Sequence, residues 1–229
     1  FPFRPRAGPW PQTGHGHQAS LDYQPRSPVT WLGEPVAFRF GLQEKRLSTY
    51  FRSPANPGAG GDQSVWSGYG TADWAGLRVQ GQLSRLTDNV DNNALLPRNR
   101  VLNQTLNLSY QPPAHAVPGQ EIKLPWYGQP VYYATHMNTE TDVIRAGSSI
   151  AAGALKQSYA TTLGAAFSYP SWTWGINHNF GLDDDRRQLT SDVRHRSTQL
   201  NANFLLGALT LTPSLGFHHE ERSEPPAGL

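Results

Sequence analysis

The sequence predicts an all-β chain laid out as an antiparallel meander of long hairpins. Three observations carry that expectation. Apolar residues recur with period 2, not 3.6, along most of the chain. Gly (22) and Pro (19) punctuate the sequence throughout, and the alternation dominates between them. The clearest runs reach about eleven residues, longer than the five or six usual in soluble sheets.

Residues 1–19 are rich in Pro, Gly and His and read as an irregular arm. Residues 20–220 read as a wall of about ten strands, and residues 221–229 as a loop or tail. Within the wall, Pro35 to Arg46 places Val36, Phe38, Phe40 and Leu42 on one face. Ser64 to Trp74 passes through the tight turn Ala75-Gly76 into Leu77 to Leu86. After a polar loop over 87–100, Val101 to Tyr110 sets Leu102, Leu106, Leu108 and Tyr110 against Asn103, Thr105, Asn107 and Ser109.

The C-terminal half repeats this grammar more clearly. Tyr159 to Tyr169 turns at Pro170-Ser171 into Trp172 to Leu182, whose apolar face is Trp172, Trp174, Ile176, Phe180 and Leu182, broken by His178. A polar loop over 183–197 follows. Thr198 to Leu206 then turns at Gly207-Ala208 into Leu209 to His218. Pro213 falls on the apolar parity of that last run, which points to an edge strand or a bulge. Turn lengths therefore alternate between tight (75–76, 170–171, 207–208) and long (52–62, 87–100, 183–197).

A faint internal repeat runs through the chain. Ser20-Leu21-Asp22-Tyr23-Gln24-Pro25 matches Asn107-Leu108-Ser109-Tyr110-Gln111-Pro112 at an offset of 87 residues. Leu32-Gly33-Glu34-Pro35-Val36 matches Tyr127-Gly128-Gln129-Pro130-Val131 at 95. A duplicated four-strand unit accounts for both; chance recurrence of hairpin vocabulary and tandem immunoglobulin-like modules are the alternatives.

Composition narrows the function classes. With no Cys, the chain has no disulfide scaffold, cysteine catalysis or thiolate metal site. A net charge of +2 does not fit a polybasic nucleic-acid binder. No stretch approaches the 18 or so consecutive apolar residues of a transmembrane helix. The hydrophobic fraction of 37% would give a soluble domain a thin core, whereas a wall with lipid on one face and water on the other needs only every second residue apolar. The chain begins at Phe1, as a processed chain or an excerpt of a longer one would.

The segments LNLSYQP, SYATTLGAAFSYPSWTWGINHNFGL and LTLTPSLGF resemble the strand-turn-strand units of Gram-negative outer-membrane β-barrels, porin-like or export-type. The resemblance extends over about residues 20–220. It implies a bacterial outer-membrane location, membrane lipid as a partner and other envelope-complex subunits as further partners. It also implies interfacial aromatics, for which Tyr169, Trp172, Trp174, Phe180 and Phe217 are the candidates at the lipid interface. Candidates for lining a lumen are Arg39, Arg78, Asn103, Asn107, Asn177 and Asn179. Arg39 and Arg78 either favour anions in that lumen or are neutralised by carboxylates such as Glu44 or Asp73. Such barrels commonly close on a strand with a terminal aromatic. The polar ending from Glu220 to Leu229 departs from this, as an internal fragment of a longer barrel would.

Chemistry-bearing clusters read as bland. His15-Gly16-His17 and His218-His219-Glu220-Glu221 are weak metal candidates; on a strand His218 and His219 point to opposite faces. Asp183-Asp184-Asp185 lacks the spacing of a calcium loop and reads as a solvated loop tip, as do Asp88, Asp91, Asn92 and Asn93. Gly58-Ala59-Gly60-Gly61 lacks the Lys-Ser/Thr of a phosphate loop. No nucleophile elbow or zincin motif occurs, so no catalytic, metal or cofactor-binding residue is nominated, and the chain is not expected to be an enzyme. The expected function is a non-catalytic barrel acting as a channel, an export conduit or a structural component of an envelope assembly. The alternative is a secreted or surface β-sandwich binding carbohydrate or protein, and the two differ over Trp172, Trp174, Phe180, Leu211 and Phe217: a lipid-facing surface in one, a buried core in the other.

Overall fold

The computed structural model describes residues 14–27, 29–50, 61–94, 96–112, 128–145, 155–186 and 190–223. They contain no helix and form one antiparallel sheet. The strands are β1 (Gly16–Tyr23), β2 (Val29–Trp31), β3 (Glu34–Leu47), β4 (Gln63–Trp74), β5 (Leu77–Asp88), β6 (Arg98–Tyr110), β7 (Gln129–Arg145), β8 (Lys156–Tyr169), β9 (Trp172–Asp185), β10 (Val193–Leu206), β11 (Leu209–Leu211) and β12 (Ser214–Arg222). Each long strand pairs with its neighbours in sequence. β1 and β2 pair with successive parts of β3, and β11 and β12 with successive parts of β10, so the 12 strands make ten columns.

The all-β meander expected from the sequence is thus the observed fold, but the sheet is open. Its outermost columns, β1 with β2 and β11 with β12, do not pair with one another. No second sheet packs on it among the described residues, so a β-sandwich is not what they form.

Strands run further than the alternation indicated. Residues 16–19, read as irregular arm, open β1; the rest of that arm up to residue 13 lies outside the described residues. Glu221 and Arg222, read as tail, end β12. Asp183-Asp184-Asp185 ends β9 and is not a loop tip. In both β9 and β12 the polar residues continue a backbone ladder after the apolar period has stopped, and ladder bonds do not depend on side-chain type. Pro213 stands at the break between β11 and β12 in an edge column, where its missing N–H costs no ladder bond.

The connections between columns fall on two rims. One rim holds the two-residue links 32–33, 75–76, 170–171 and 207–208. In two of these both residues have positive φ, Leu32 (52°) with Gly33 (84°) and Ala75 (46°) with Gly76 (83°), the signature of a type I′ hairpin. The other rim carries 48–62, 89–97, 146–155 and 186–192. The strict alternation of tight and long turns has one exception, because β6 ends and β7 begins at the short-turn rim although residues 111–128 separate them.

The repeat acquires a structural counterpart. Strands begin at Glu34, Leu77 and Arg98, and again 95 residues later at Gln129, Trp172 and Val193. Gly33 and Gly128 both hold positive φ (84° and 85°) immediately before their strands. Columns β3 to β6 thus correspond to β7 to β10, a shift of four columns.

Candidate lumen face and lipid interface

The register assigns every strand residue to one of two faces, because side chains directly opposite each other share a face. One row near the short-turn rim runs Val36, Trp74, Leu77, Tyr110 and Tyr132. Another runs Tyr169, Trp172 and Phe204. This face continues through Leu21, Phe40, Leu106, Leu163, Ile176, Leu200 and Leu215 and is apolar. Nothing among the described residues covers it: Ile176 is 43% exposed, Leu211 52% and Phe217 65%. The buried apolar residues of the described chain are Leu47 and Val90, both at the long-loop rim. Burial of apolar surface is the main favourable term in folding, so a sheet this bare in water lacks its usual driving force.

Aromatics gather on the apolar face at the short-turn rim. Phe167 stacks on Trp174 with ring centroids 4.2 Å apart, Tyr169 on Trp172 at 5.0 Å, and Trp172 reaches Phe204 at 6.2 Å. Trp31 and Trp74 lie 4.7 Å apart four columns or more away, and Tyr132 meets Phe167 edge-on. Of the five lipid-interface candidates, Tyr169, Trp172 and Trp174 belong to this belt. Phe180 and Phe217 share the same face further along their strands.

The opposite face is polar. All six lumen candidates lie on it. Asn103 accepts a hydrogen bond from the Thr139 hydroxyl at 3.0 Å, and Asn179 accepts one from Thr162 at 2.6 Å while its amide donates to Asn177 and Ser197. Asn107 lies on the same face between Gln80 and Thr135. Arg78 is paired with Asp73 at 2.6 Å. Arg39 pairs with Asp22 at 3.5 Å and not with Glu44, which points to the other face. The two arginines are therefore neutralised on the spot. Between Asn103 and Ser109 on β6, and between Thr173 and Gly181 on β9, this face bears amides, hydroxyls and glycines and no charge. A depression of about 610 Å³ near the short-turn rim is lined from five strands by Ala37, Asp73, Arg78, Ser109 and Val131, so the polar face is concave there.

Sequence reasoning missed one recurring device on this face. The rings of Tyr69, Tyr133 and His195 occupy the space over Gly41, Gly164 and Gly181 on the neighbouring strand, where any Cβ would collide with them. Tyr69 donates to Asp22 and lies under the Arg39 guanidinium, 5.5 Å from its ring centroid. Alternation alone gives no sign of this, since Gly appears in it merely as a small residue.

The long-loop rim is also more built than expected. Asn89 is buried and donates to the carbonyls of Asn93, Leu96 and Pro97 at 2.8, 3.0 and 3.3 Å, while accepting from the Asn93 amide at 2.7 Å. Asp91 accepts from the amide and hydroxyl of Thr49, both at 2.8 Å, and these bonds hold its carboxyl below the usual range. Asp88 accepts from the Asn99 amide at 2.5 Å, and Asn92 from Arg98 at 3.2 Å. Asp185 is buried and accepts from Thr190. Of the residues read as solvated tips, Asp91 ties its loop to residue 49, while Asp88, Asn92 and Asp185 brace the loops they border or belong to.

Of the metal candidates, His218 and His219 lie within β12 and face opposite ways, and His15 contacts Ser48 through its backbone. No group of three or more His, Asp or Glu with metal-holding geometry occurs among the described residues. Gly58, Ala59 and Gly60 lie outside them. Comparison with known proteins finds no family model that matches the chain, and no curated protein or solved structure that is significantly similar to it.

Proposed function

We propose that the chain forms wall of an outer-membrane β-barrel whose apolar face meets lipid and whose polar face lines an aqueous lumen, as a non-catalytic channel, export conduit or structural part of an envelope assembly. The observation that carries this reading is the exposure of a broad apolar face, belted with stacked aromatics and interrupted on β7, opposite a mainly polar face on the same sheet. Three further features support it. A 14-residue strand such as β8 spans roughly 46 Å, or roughly 35 Å when tilted by about 40°, which suffices for a bilayer core. Interfacial aromatics anchor such walls at the headgroup level. The long-loop rim carries the charged and Asn-rich residues that belong in water.

In hydrocarbon the free edges at β1 and β12 must be paired, because unsatisfied backbone groups there cost several kcal/mol each. β1 and β12 run in opposite directions, so they are able to pair with each other antiparallel or with further strands. The lumen of this wall is polar and locally neutral, since Arg39 and Arg78 are each matched by an aspartate. It therefore favours uncharged polar solutes and discriminates weakly between anions and cations.

The test is refolding into lipid vesicles and into water without detergent, followed by far-UV circular dichroism. A β-spectrum that needs lipid or detergent is the expected result, with quenching of tryptophan fluorescence by brominated acyl chains. A monomeric β-rich protein soluble in plain buffer would sink the membrane reading. Conductance across a salt gradient then reads charge selectivity, expected near none.

A further inference from the structure

The apolar face holds one place where its composition changes abruptly. On β4 and β5, Gly68, Gly70 and Gly81 leave a trough of about 670 Å³ walled by Leu42, Leu83 and Leu106. Toward the long-loop rim the trough runs past Trp66 and Leu83 into a second hollow of about 460 Å³, which those two residues also line. The second hollow is polar at its far end, where Ser64, Thr87, Arg85 and Arg98 line it and no carboxylate does. Arg85 makes no ion pair among the described residues. Arg98 gives one nitrogen to Asn92, and its buried Nε has no partner. The neighbouring Arg100, by contrast, is held by Glu140 and Asp142 at 3.5 and 3.2 Å. Glu44 stands on the same face one strand beyond Trp66.

We infer that this joined pair of hollows seats a single lipid with a phosphate-bearing headgroup, its phosphate between Arg85 and Arg98 and an acyl chain in the glycine trough. The inference rests on the membrane reading above. Two open guanidinium groups with adjacent hydroxyls match the donor needs of a phosphate, since Arg pairs with phosphate through fixed, charge-assisted bonds. A free phosphate has no use for the trough, whereas a lipid fills both hollows at once. The polar end faces the long-loop rim, so the lipid belongs to the leaflet on that side.

The experiment is native mass spectrometry of the full chain released from nanodiscs of phosphatidylcholine containing phosphatidylglycerol as the anionic probe. Wild type is expected to retain phosphatidylglycerol in preference to phosphatidylcholine. The double variant Arg85→Gln/Arg98→Gln is expected to lose that preference by about tenfold, the scale of one or two charge-assisted bonds. Gly81→Leu tests the trough: a Cβ there meets nothing within 4 Å, so the substitution fills space without disturbing the strand, and retention is expected to fall. Equal retention by wild type and the arginine variant overturns the inference, as does equal displacement of the lipid by inorganic phosphate alone. Circular dichroism and bromolipid quenching on the same samples separate the two levels: failure to fold in any bilayer removes the membrane reading and the lipid seat together, while a folded wall without anionic preference removes the seat alone.

Discussion

The two rims of the sheet are held by different physics. The short-turn rim is stitched locally, by two-residue hairpins, two of them with both residues at positive φ, and by rings stacked between adjacent strands, as Phe167 on Trp174. The long-loop rim is stitched across distance. Val90 donates to Asp62, Thr49 to Asp91 and Arg46 to the Val90 carbonyl, partners 28 to 44 residues apart, around the best-buried residues of the described chain. One rim depends on its surroundings being apolar; the other carries its own small interior. The proposed membrane wall would call for this division, with lipid over the aromatic belt and water at the loops.

The sharpest way to break the contrast is at Asn89. It is 2% exposed, and its amide holds three carbonyls of the 89–97 loop. Asn89→Ala removes the three bonds to those carbonyls and the one from the Asn93 amide, each contributing about 0.5–1.5 kcal/mol. Urea unfolding should shift by about 2–4 kcal/mol in total, equally in detergent and in lipid. Proteolysis between residues 89 and 97 should accelerate markedly. An unshifted midpoint with an unchanged cleavage rate would show that the loop is held by something other than Asn89.

At the other rim, Trp174→Ala should behave in the opposite way with respect to medium. The indole stacks on Phe167 and stands on the apolar face. Its loss removes a stacked pair worth about 0.5–1.5 kcal/mol beyond area burial and, on the proposed membrane reading, an interfacial anchor. The cost should be seen when unfolding is followed in bilayers and shrink in a detergent micelle that adapts to the gap. Equal cost in both media would assign Trp174 to packing within the sheet alone.

These two sites were not equally legible in sequence. The belt was visible because alternation puts Tyr169, Trp172 and Trp174 around an obvious turn. β7 was not, because its apolar parity carries His136 and Asn138 while Tyr133 and Met137 stand on the polar side, so the period is scrambled. In the structure that exchange makes sense: Tyr133 lies over Gly164, and His136 contacts the Thr161 hydroxyl at 2.8 Å. The long-loop junction was illegible for another reason. Asn and Asp near a strand end look alike whether they face water or tie two loops, and only distant partners such as Thr49 and Asp62 tell them apart. The 95-residue repeat was legible at Gly33 and Gly128 because each position needs a left-handed backbone, which restricts the residue.

Acid sharpens the comparison further. The bonds from Thr49 lower the carboxyl pKa of Asp91. A group depressed in the folded state contributes stability that is present above its unfolded pKa and lost as pH falls through the folded one. The tie between residues 49 and 91 should therefore hold at neutral pH and release below the ordinary carboxylate range. Amide exchange at Thr49 should quicken there while exchange at Trp174 and Phe167 stays constant. Asp91→Asn should flatten the pH dependence, and a Thr49 amide that remains protected in acid would remove Asp91 as its cause.

The smallest effect tests the short-turn rim at its most local. Ala75 sits at φ 46°, a left-handed conformation that costs a residue with a Cβ on the order of 1 kcal/mol, and Gly76 follows at φ 83°. Asn is the residue type that best tolerates the first position of a type I′ turn. Ala75→Asn should therefore stabilise the β4–β5 hairpin by a few tenths of a kcal/mol, whereas Ala75→Val should destabilise it, because a branched side chain fits positive φ worst. Both shifts should be of the same size in detergent and in lipid, since the turn lies beyond the belt and its strain is in the backbone. If the Asn variant is no more stable than wild type while the Val variant is weaker, the hairpin is fixed by the register of Trp74 with Leu77 and its neighbours, and the turn follows the strands.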